Sequence, residues 1–249
     1  MLKLHLLGTG AAVSDGSRTT TMLAIEDPEA TFVIDCGGDA IQRACAHGID
    51  PASIRSLLLT HEHVDHVSGF PLLMERLWLS ERTVPLPVYG PASALDQARR
   101  CFDTFDTSGW DGLFELEWHE IELRENVQVI DTEDWSVQAA PGDHGSTDVV
   151  GFRFVYKPGG KVIAYSADTR PTDTITRLAR DADILVHEAT GHPNHSTPVE
   201  AGRIANRAKA EQLVLVHLPP EVTEDHLHEV REEFDGPAAL GHDGDSYAV

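Results

Sequence analysis

Lysine is nearly absent from this 249-residue chain: Lys3, Lys157, Lys161 and Lys209 stand beside fifteen arginines and 41 acidic residues. The formal net charge is −22, and the acids are spread along the whole length instead of forming a tail. A surface so short of cations repels nucleic-acid backbones at moderate salt and repels itself at low ionic strength. Cysteine is scarce as well. Three residues (Cys36, Cys45 and Cys101) make an odd set, which excludes a disulfide framework and points to a reducing interior. No run approaches the roughly eighteen apolar residues of a membrane span, and the opening Met1-Leu-Lys-Leu-His turns polar too soon for a secretory signal. Repeats, low-complexity stretches and Pro/Gly/Ser linkers are missing too. What is present is 41% hydrophobic residues, ample for a buried core. The expectation is one domain over residues 1–249, placed in the cytoplasm, with no membrane partner.

Short apolar runs alternate with helical spacing and turn signals, the pattern of a layered α/β chain. Strands are expected over residues 2–7, 22–25, 31–35, 54–60, 85–89, 114–119, 127–132, 135–140, 149–156, 161–166, 184–187 and 213–217. Helices are expected over 40–47, 70–79, 92–105, 172–179 and 198–209. The polar segment 102–110 reads as a flap or a subunit contact. Trp78, Trp110, Trp118 and Trp135 are scattered, and three of the four read as core or interface packing, not as a stacking platform for bases.

The strongest chemical signal is His61-Glu62-His63-Val64-Asp65-His66, directly after an apolar strand. Imidazole and carboxylate are ligands for zinc and similar divalent ions. The spacing differs from the His-Glu-x-x-His of helical zinc proteases, because Asp65 stands where that motif needs its second histidine. Further candidates follow at other strand ends: His144 in Gly142-Asp-His-Gly, Asp168 in Ser166-Ala-Asp-Thr, and His217 in Leu215-Val-His-Leu. Together these seven residues would hold two metals with positions left for water and substrate.

His-x-His-x-Asp-His followed by a His, an Asp and a His on later strand ends resembles the ligand series of the metallo-β-lactamase fold. Other segments are similar to its ribonuclease Z-like members: Leu7-Gly-Thr-Gly-Ala-Ala, Arg18-Thr-Thr-Thr, Phe32-Val-Ile-Asp-Cys-Gly, Tyr165-Ser-Ala-Asp-Thr-Arg, His187-Glu-Ala-Thr and His195-Ser-Thr-Pro. The resemblance implies a four-layer αβ/βα sandwich, two mixed β-sheets back to back with helices outside. It implies that His61, His63 and His144 bind one Zn2+, that Asp65, His66 and His217 bind a second, and that Asp168 bridges them, with Mn2+ or Fe as other occupants. It further implies that Asp35 braces the metal loop. His195 would be the general acid or phosphate contact, oriented by Glu188, with Asp65 and the two metals serving the attack of an acidified water. His187 reads as a supporting residue, and His192 as a solvated loop residue.

Two departures bear on substrate. The resemblance implies a transfer-RNA-gripping arm between the motifs of His144 and Asp168, yet that interval holds only strand-like sequence and a Pro158-Gly-Gly turn. After His217 the chain reads Leu-Pro-Pro-Glu-Val-Thr-Glu-Asp in place of the Ser-x-Arg-Tyr phosphate-binding stretch. Arg18, Arg76, Arg82, Arg99 and Arg100 are the cations expected to flank the cleft in its place. The expected activity is metal-dependent hydrolysis of a small phosphodiester or short oligonucleotide. The alternatives are transfer RNA 3′-processing by a ribonuclease Z-type endoribonuclease, hydrolysis of a thioester or other ester, and a non-catalytic metal-bound protein that binds a ligand. The resemblance also implies a homodimer. Scarce lysine and dispersed acids resemble the composition of halophile proteins, for which a Debye length of about 3 Å at 1 M salt screens the surface charge.

Overall fold

The first half of the chain builds one sheet and the second half another. In the computed structural model, which describes residues 1–13 and 15–249, the first six strands are β1 (Lys3–Gly8), β2 (Met22–Glu26), β3 (Thr31–Ile34), β4 (Ile54–Leu58), β5 (Leu86–Gly90) and β6 (Leu116–Glu120). Then come β7 (Val127–Asp131), β8 (Trp135–Pro141), β9 (Val150–Tyr156), β10 (Lys161–Tyr165), β11 (Ile184–Glu188), β12 (Leu213–Val216) and β13 (Ala238–Leu240). The last strand, β14 (Ser246–Ala248), returns to pair with β1. The two seven-stranded sheets run β14-β1-β2-β3-β4-β5-β6 and β13-β12-β11-β10-β9-β8-β7. Both are mixed: β3 to β6 and β10 to β13 pair in parallel, the others antiparallel.

Strands covered on both faces carry nearly continuous apolar sequence. Leu213–Val216 is buried at every position, as is Ile184–Glu188. Between the sheets Leu4, Ile25, Phe32 and Leu58 meet Val137, Phe152, Phe154 and Val186. The outer face of the first sheet packs on α1 (Ala40–Ala46), α3 (Phe70–Leu79) and α4 (Ala92–Phe102) through Ile41, Phe70, Leu73, Leu77 and Leu95. The outer face of the second sheet is covered by α5 (Asp173–Leu178), α6 (Pro198–Ala208) and α7 (His226–Glu233). Helix α6 starts at Thr197, whose hydroxyl accepts from the Glu200 N–H while the Glu200 carboxylate accepts from the Thr197 N–H, a reciprocal cap. The expected four-layer αβ/βα sandwich is the observed architecture.

The differences are local. The helix expected over 92–105 stops at Phe102, and Trp110 turns back to stack on Trp78 of α3 at 4.9 Å and to meet the Phe102 ring edge-on, while residues 103–106, 108 and 109 are exposed. The motif read as a strand-end loop contains one helical turn, α2 (Val64–Val67). Helix α7 and strands β13 and β14 lie in sequence left unassigned above, too short or too polar for a clear period. No helix among the described residues is long and apolar enough to cross a membrane.

Candidate metal centre

Strands β3, β4, β8, β10, β11 and β12 all end at the same edge of the sandwich, and each hands on a polar side chain. β4 continues through Thr60 to His61, His63 stands at the residue before α2, and α2 carries Asp65 and His66. β8 leads to His144, β10 to Asp168, β11 ends on Glu188, and His217 follows β12. Asp35, Ala167 and His217 take left-handed backbone conformations (φ 60°, 53° and 55°). Such positions cost about 1–3 kcal/mol for non-glycine residues and collect at functional sites. The Gly37 turn has a different purpose: a Cβ there would sit 1.6 Å from the Asp65 carbonyl oxygen, so only glycine lets the two loops touch.

Asp35 ties this edge together. Its Oδ2 accepts from His66 Nδ1 and from Thr60 Oγ1, both at 2.8 Å, while Oδ1 accepts from the Thr60 N–H at 2.8 Å. The brace expected of Asp35 is therefore present. Other ring nitrogens are also anchored from behind. His61 Nδ1 faces Thr60 Oγ1 at 2.9 Å, His144 Nδ1 donates to the Asn194 carbonyl at 2.9 Å, and His217 Nδ1 faces Thr190 Oγ1 at 2.6 Å. Fixing one nitrogen leaves the other aimed inward with a defined lone pair.

The inward atoms form overlapping groups. His61, His63, His144 and Asp168 each offer one ligand atom, all within 4.8 Å of one another; Asp65, His66 and His217 form a second such group, and Asp168, His195 and His217 a third that shares a residue with each of the others. Asp168 Oδ2 joins the two, lying 3.8 Å from His61 Nε2, 3.5 Å from His66 Nε2 and 3.2 Å from His217 Nε2. Asp65 Oδ2 lies 3.3 Å from His217 Nε2 and 3.6 Å from His66 Nε2. Buried polar atoms are almost always paired, yet His61 Nε2, His66 Nε2 and Asp168 Oδ1 are buried without a hydrogen-bond partner. Three orphans of this kind at the centre of a His/Asp cluster fit cations.

The electrostatics agree. Burial drives His61 well below the ordinary imidazole range and lowers His63. Burial also opposes charge on His66, but Asp168 and Asp35 hold that ring well above its usual value. Desolvation would raise Asp168, which His217, His66 and His61 nevertheless hold well below the carboxylate range. The centre is thus a carboxylate, Asp168, kept ionised beside two imidazoles, His61 and His63, that burial holds toward the neutral form, the states in which these groups bind divalent ions.

His195 leans over this edge. Its Nδ1 lies 2.8 Å from Glu188 Oε1 and 4.0 Å from Asp168 Oδ2, and its ring stacks against His217 at 5.3 Å. The fully buried Glu188 also accepts from the N–H groups of Thr169, Thr190 and Ser196. Burial lowers the affinity of His195 for a proton, but the hydrogen bond and charge of Glu188 outweigh it and raise the ring's pKa. His187 is buried, with Nδ1 on the Glu188 carbonyl at 2.7 Å, a supporting position. Thr147, whose Oγ1 lies 3.2 Å from His63 Nε2, and the outer partners Thr60 and Asn194 carry no sequence signal of their own; Thr190 stands out only as the end of His187-Glu-Ala-Thr.

One of the expected cations, Arg82, lies elsewhere. Arg82 is buried at the far end of the first sheet, donating to the carbonyls of Ile54, Val84 and Pro85, so it does not flank the cleft. Arg76 pairs with Asp39, Arg99 lies over the Trp118 ring, and Arg100 bonds Gln97. Arg18 donates to Thr9 and to the Gly241 carbonyl. Near the centre, Arg170 bonds Asp143 at 2.8 Å. Between His144 and Asp168 the chain forms only the hairpin of β9 and β10, with a turn at residues 157–160.

The beta-lactamase superfamily domain matches residues 30–218. A ribonuclease Z of Mycolicibacterium paratuberculosis is 30% identical over 275 aligned positions, covering 98% of this chain and 96% of that protein. The aligned positions outnumber the 249 residues here, so the relative carries residues without counterpart in this chain. Among solved structures, human tRNase Z, short form, superposes with a TM-score of 0.80 at 24% identity, covering 99% of this chain and 98% of that one. A diphosphatase from the PhnP family superposes with a TM-score of 0.77 at 22% identity, covering 100% and 98%.

Proposed function

The chain belongs to the beta-lactamase superfamily, and on that premise we propose that it is a metal-dependent phosphodiesterase acting, as one domain, on a small or short phosphodiester. The observation that carries the reading is the meeting of two His/Asp groups at Asp168, with buried ring nitrogens left unpartnered and the Glu188-held His195 above them. In this reading His61, His63 and His144 hold one ion, Asp65, His66 and His217 a second, and Asp168 bridges. Zinc is the first choice for such ligands, with manganese or iron also accommodated. Two divalent ions there would polarise a phosphoryl group and supply a water of lowered pKa.

The protein's own contribution is positional. Asp35, Thr60 and Thr190 hold the imidazoles in register. His195, raised toward the protonated state by Glu188, is placed to donate a proton to the leaving oxygen. The hairpin in place of an arm, and arginines committed to local partners, favour a substrate gripped mainly at its reacting phosphate.

The test is hydrolysis of bis(p-nitrophenyl) phosphate in concentrated salt with zinc or manganese. Activity abolished by Asp65→Ala and by His63→Ala supports the reading; full turnover by Asp65→Ala sinks it. A second reading, transfer RNA 3′-processing, is favoured by the relatives named ribonuclease Z. Cleavage of a precursor at its 3′ trailer faster than the small diester would promote it. We further infer, from the −22 charge, that the protein works in a salt-rich cytoplasm; a thermal midpoint that fails to rise between low and molar potassium chloride would contradict this. Homodimerisation, the remaining expectation, is read out by sedimentation in the same buffers.

A further inference from the structure

At the end of the sandwich opposite the metal centre the two sheets part, leaving a cleft of about 290 Å³. Strands β3 and β4 run from this cleft toward Asp35 and His61, and β8 runs from it toward His144. The buried rings of Phe32 and Trp135 form its floor, and Tyr89 and Ile130 its sides. The Trp135 indole is fixed, because its Nε1–H donates to Asp27 Oδ2 at 2.6 Å while Asp27 Oδ1 accepts from the N–H groups of Glu29 and Ala30.

Ser56 stands out on this wall. Strand alternation turns it, with Leu58, toward the space between the sheets, and it is only 2% exposed. Its hydroxyl is buried without a hydrogen-bond partner. A serine among Phe32, Tyr89 and Trp135 adds nothing to apolar packing, and buried hydroxyls are normally paired. On the wall of an open cleft, the missing partner is one that arrives with a ligand. The rim carries Glu29 and Asp134 against the single guanidinium of Arg55, with the Asp27 carboxylate just inside. Aromatic walls, an unpartnered serine hydroxyl and an acidic rim describe one chemical class.

We propose that this cleft is a second, non-catalytic site for a small planar aromatic molecule bearing a protonated amine or amidine. The ring lies against Trp135 and Tyr89, a polar ring atom pairs with the Ser56 hydroxyl, and the cationic group faces Glu29 and Asp134. The site is separate from the hydrolytic centre, so it stands whether or not the phosphodiesterase reading does.

Benzamidine is the probe and benzoate its control, titrated calorimetrically into the full chain at the lowest salt that preserves the fold. Benzamidine should bind saturably and one-to-one, and benzoate should not. Ser56→Ala should weaken binding by about threefold to tenfold, the loss of one hydrogen bond. Glu29→Lys with Asp134→Lys should exchange the preference to benzoate. Ala30→Trp, at the partly exposed mouth, should block the probe and covers the case in which a core substitution fails to fold. Chelator-treated protein should bind benzamidine equally well, and diester hydrolysis should be unchanged in every variant. Absence of saturable binding overturns the proposal. So does affinity indifferent to these substitutions, or binding lost with the chelator, which would place the probe at the metal centre.

Discussion

Asp35 and His66, 31 positions apart, share a 2.8 Å hydrogen bond in which the carboxylate, itself held by Thr60, fixes the ring from behind. The bond leaves His66 Nε2 pointing at Asp168 Oδ2, 3.5 Å away. Asp35 therefore sets which nitrogen of His66 is offered to the centre.

Asp35→Asn keeps the volume of the side chain and removes the charge that orients the ring. Loss of such an outer partner typically lowers metal affinity or activity by about 10- to 100-fold. The expected outcome is reduced metal stoichiometry by elemental analysis, with diester hydrolysis falling in parallel and recovering at high added metal.

Glu188 and His195 should behave differently. Neither Glu188→Gln nor His195→Ala removes one of the seven residues proposed to hold the ions, so both variants should retain metal. His195→Ala is expected to lower kcat by about 100-fold or more, the usual scale of a lost general acid. The loss should be smaller for p-nitrophenolate than for a poor alkoxide leaving group. A loss equal for both would remove the acid role.

Chelation should destabilise the fold as well as silence it, because ions that bind only the native state add stability by mass action, about 2.7 kcal/mol at a hundredfold excess over Kd. The thermal midpoint should drop on dialysis against a chelator and return with zinc or manganese. A midpoint indifferent to metal would argue against a built site.

Acid should loosen the seam where the last strand meets the first. His5 is almost wholly covered, its Nε2–H donates to Glu26 Oε2 at 3.0 Å, and its Nδ1 lies 2.8 Å from Ser246 Oγ on β14 and 3.3 Å from His47 Nδ1. Burial outweighs Glu26 and lowers the pKa of His5, and burial with the neighbouring His5 lowers that of His47. The unfolded chain then binds more protons than the folded one just below the ordinary imidazole value of 6.5. Stability is full above that value and falls as the pH drops through it toward the depressed folded values. Urea midpoints measured at neutral pH and one unit below 6.5 should differ more for the native chain than for His5→Gln.

Much of this molecule was legible before any fold was drawn. Residues 184–187 and 213–217 read as strands because both faces of the corresponding β11 and β12 are buried, and a doubly covered strand writes an uninterrupted apolar run. The same runs made their polar endings conspicuous, so Asp168 and His217 could be set beside the cluster that begins at His61. Segments without a period stayed unread: α7 mixes acids with two buried positions, and β13 and β14 have three residues each. Nothing local announced that Arg82 faces backbone carbonyls at the far end of the sheet, since strand order and direction decide which end a neighbour occupies. Residue types and their placement at strand ends were thus properties of the sequence by itself. Bringing Asp65 within 3.3 Å of His217 across 152 positions, orienting each ring through Asp35 or Thr190, and opening a cleft around Ser56 were decided by how two sheets pack face to face, because contacts between distant residues exist only once the core between them has formed.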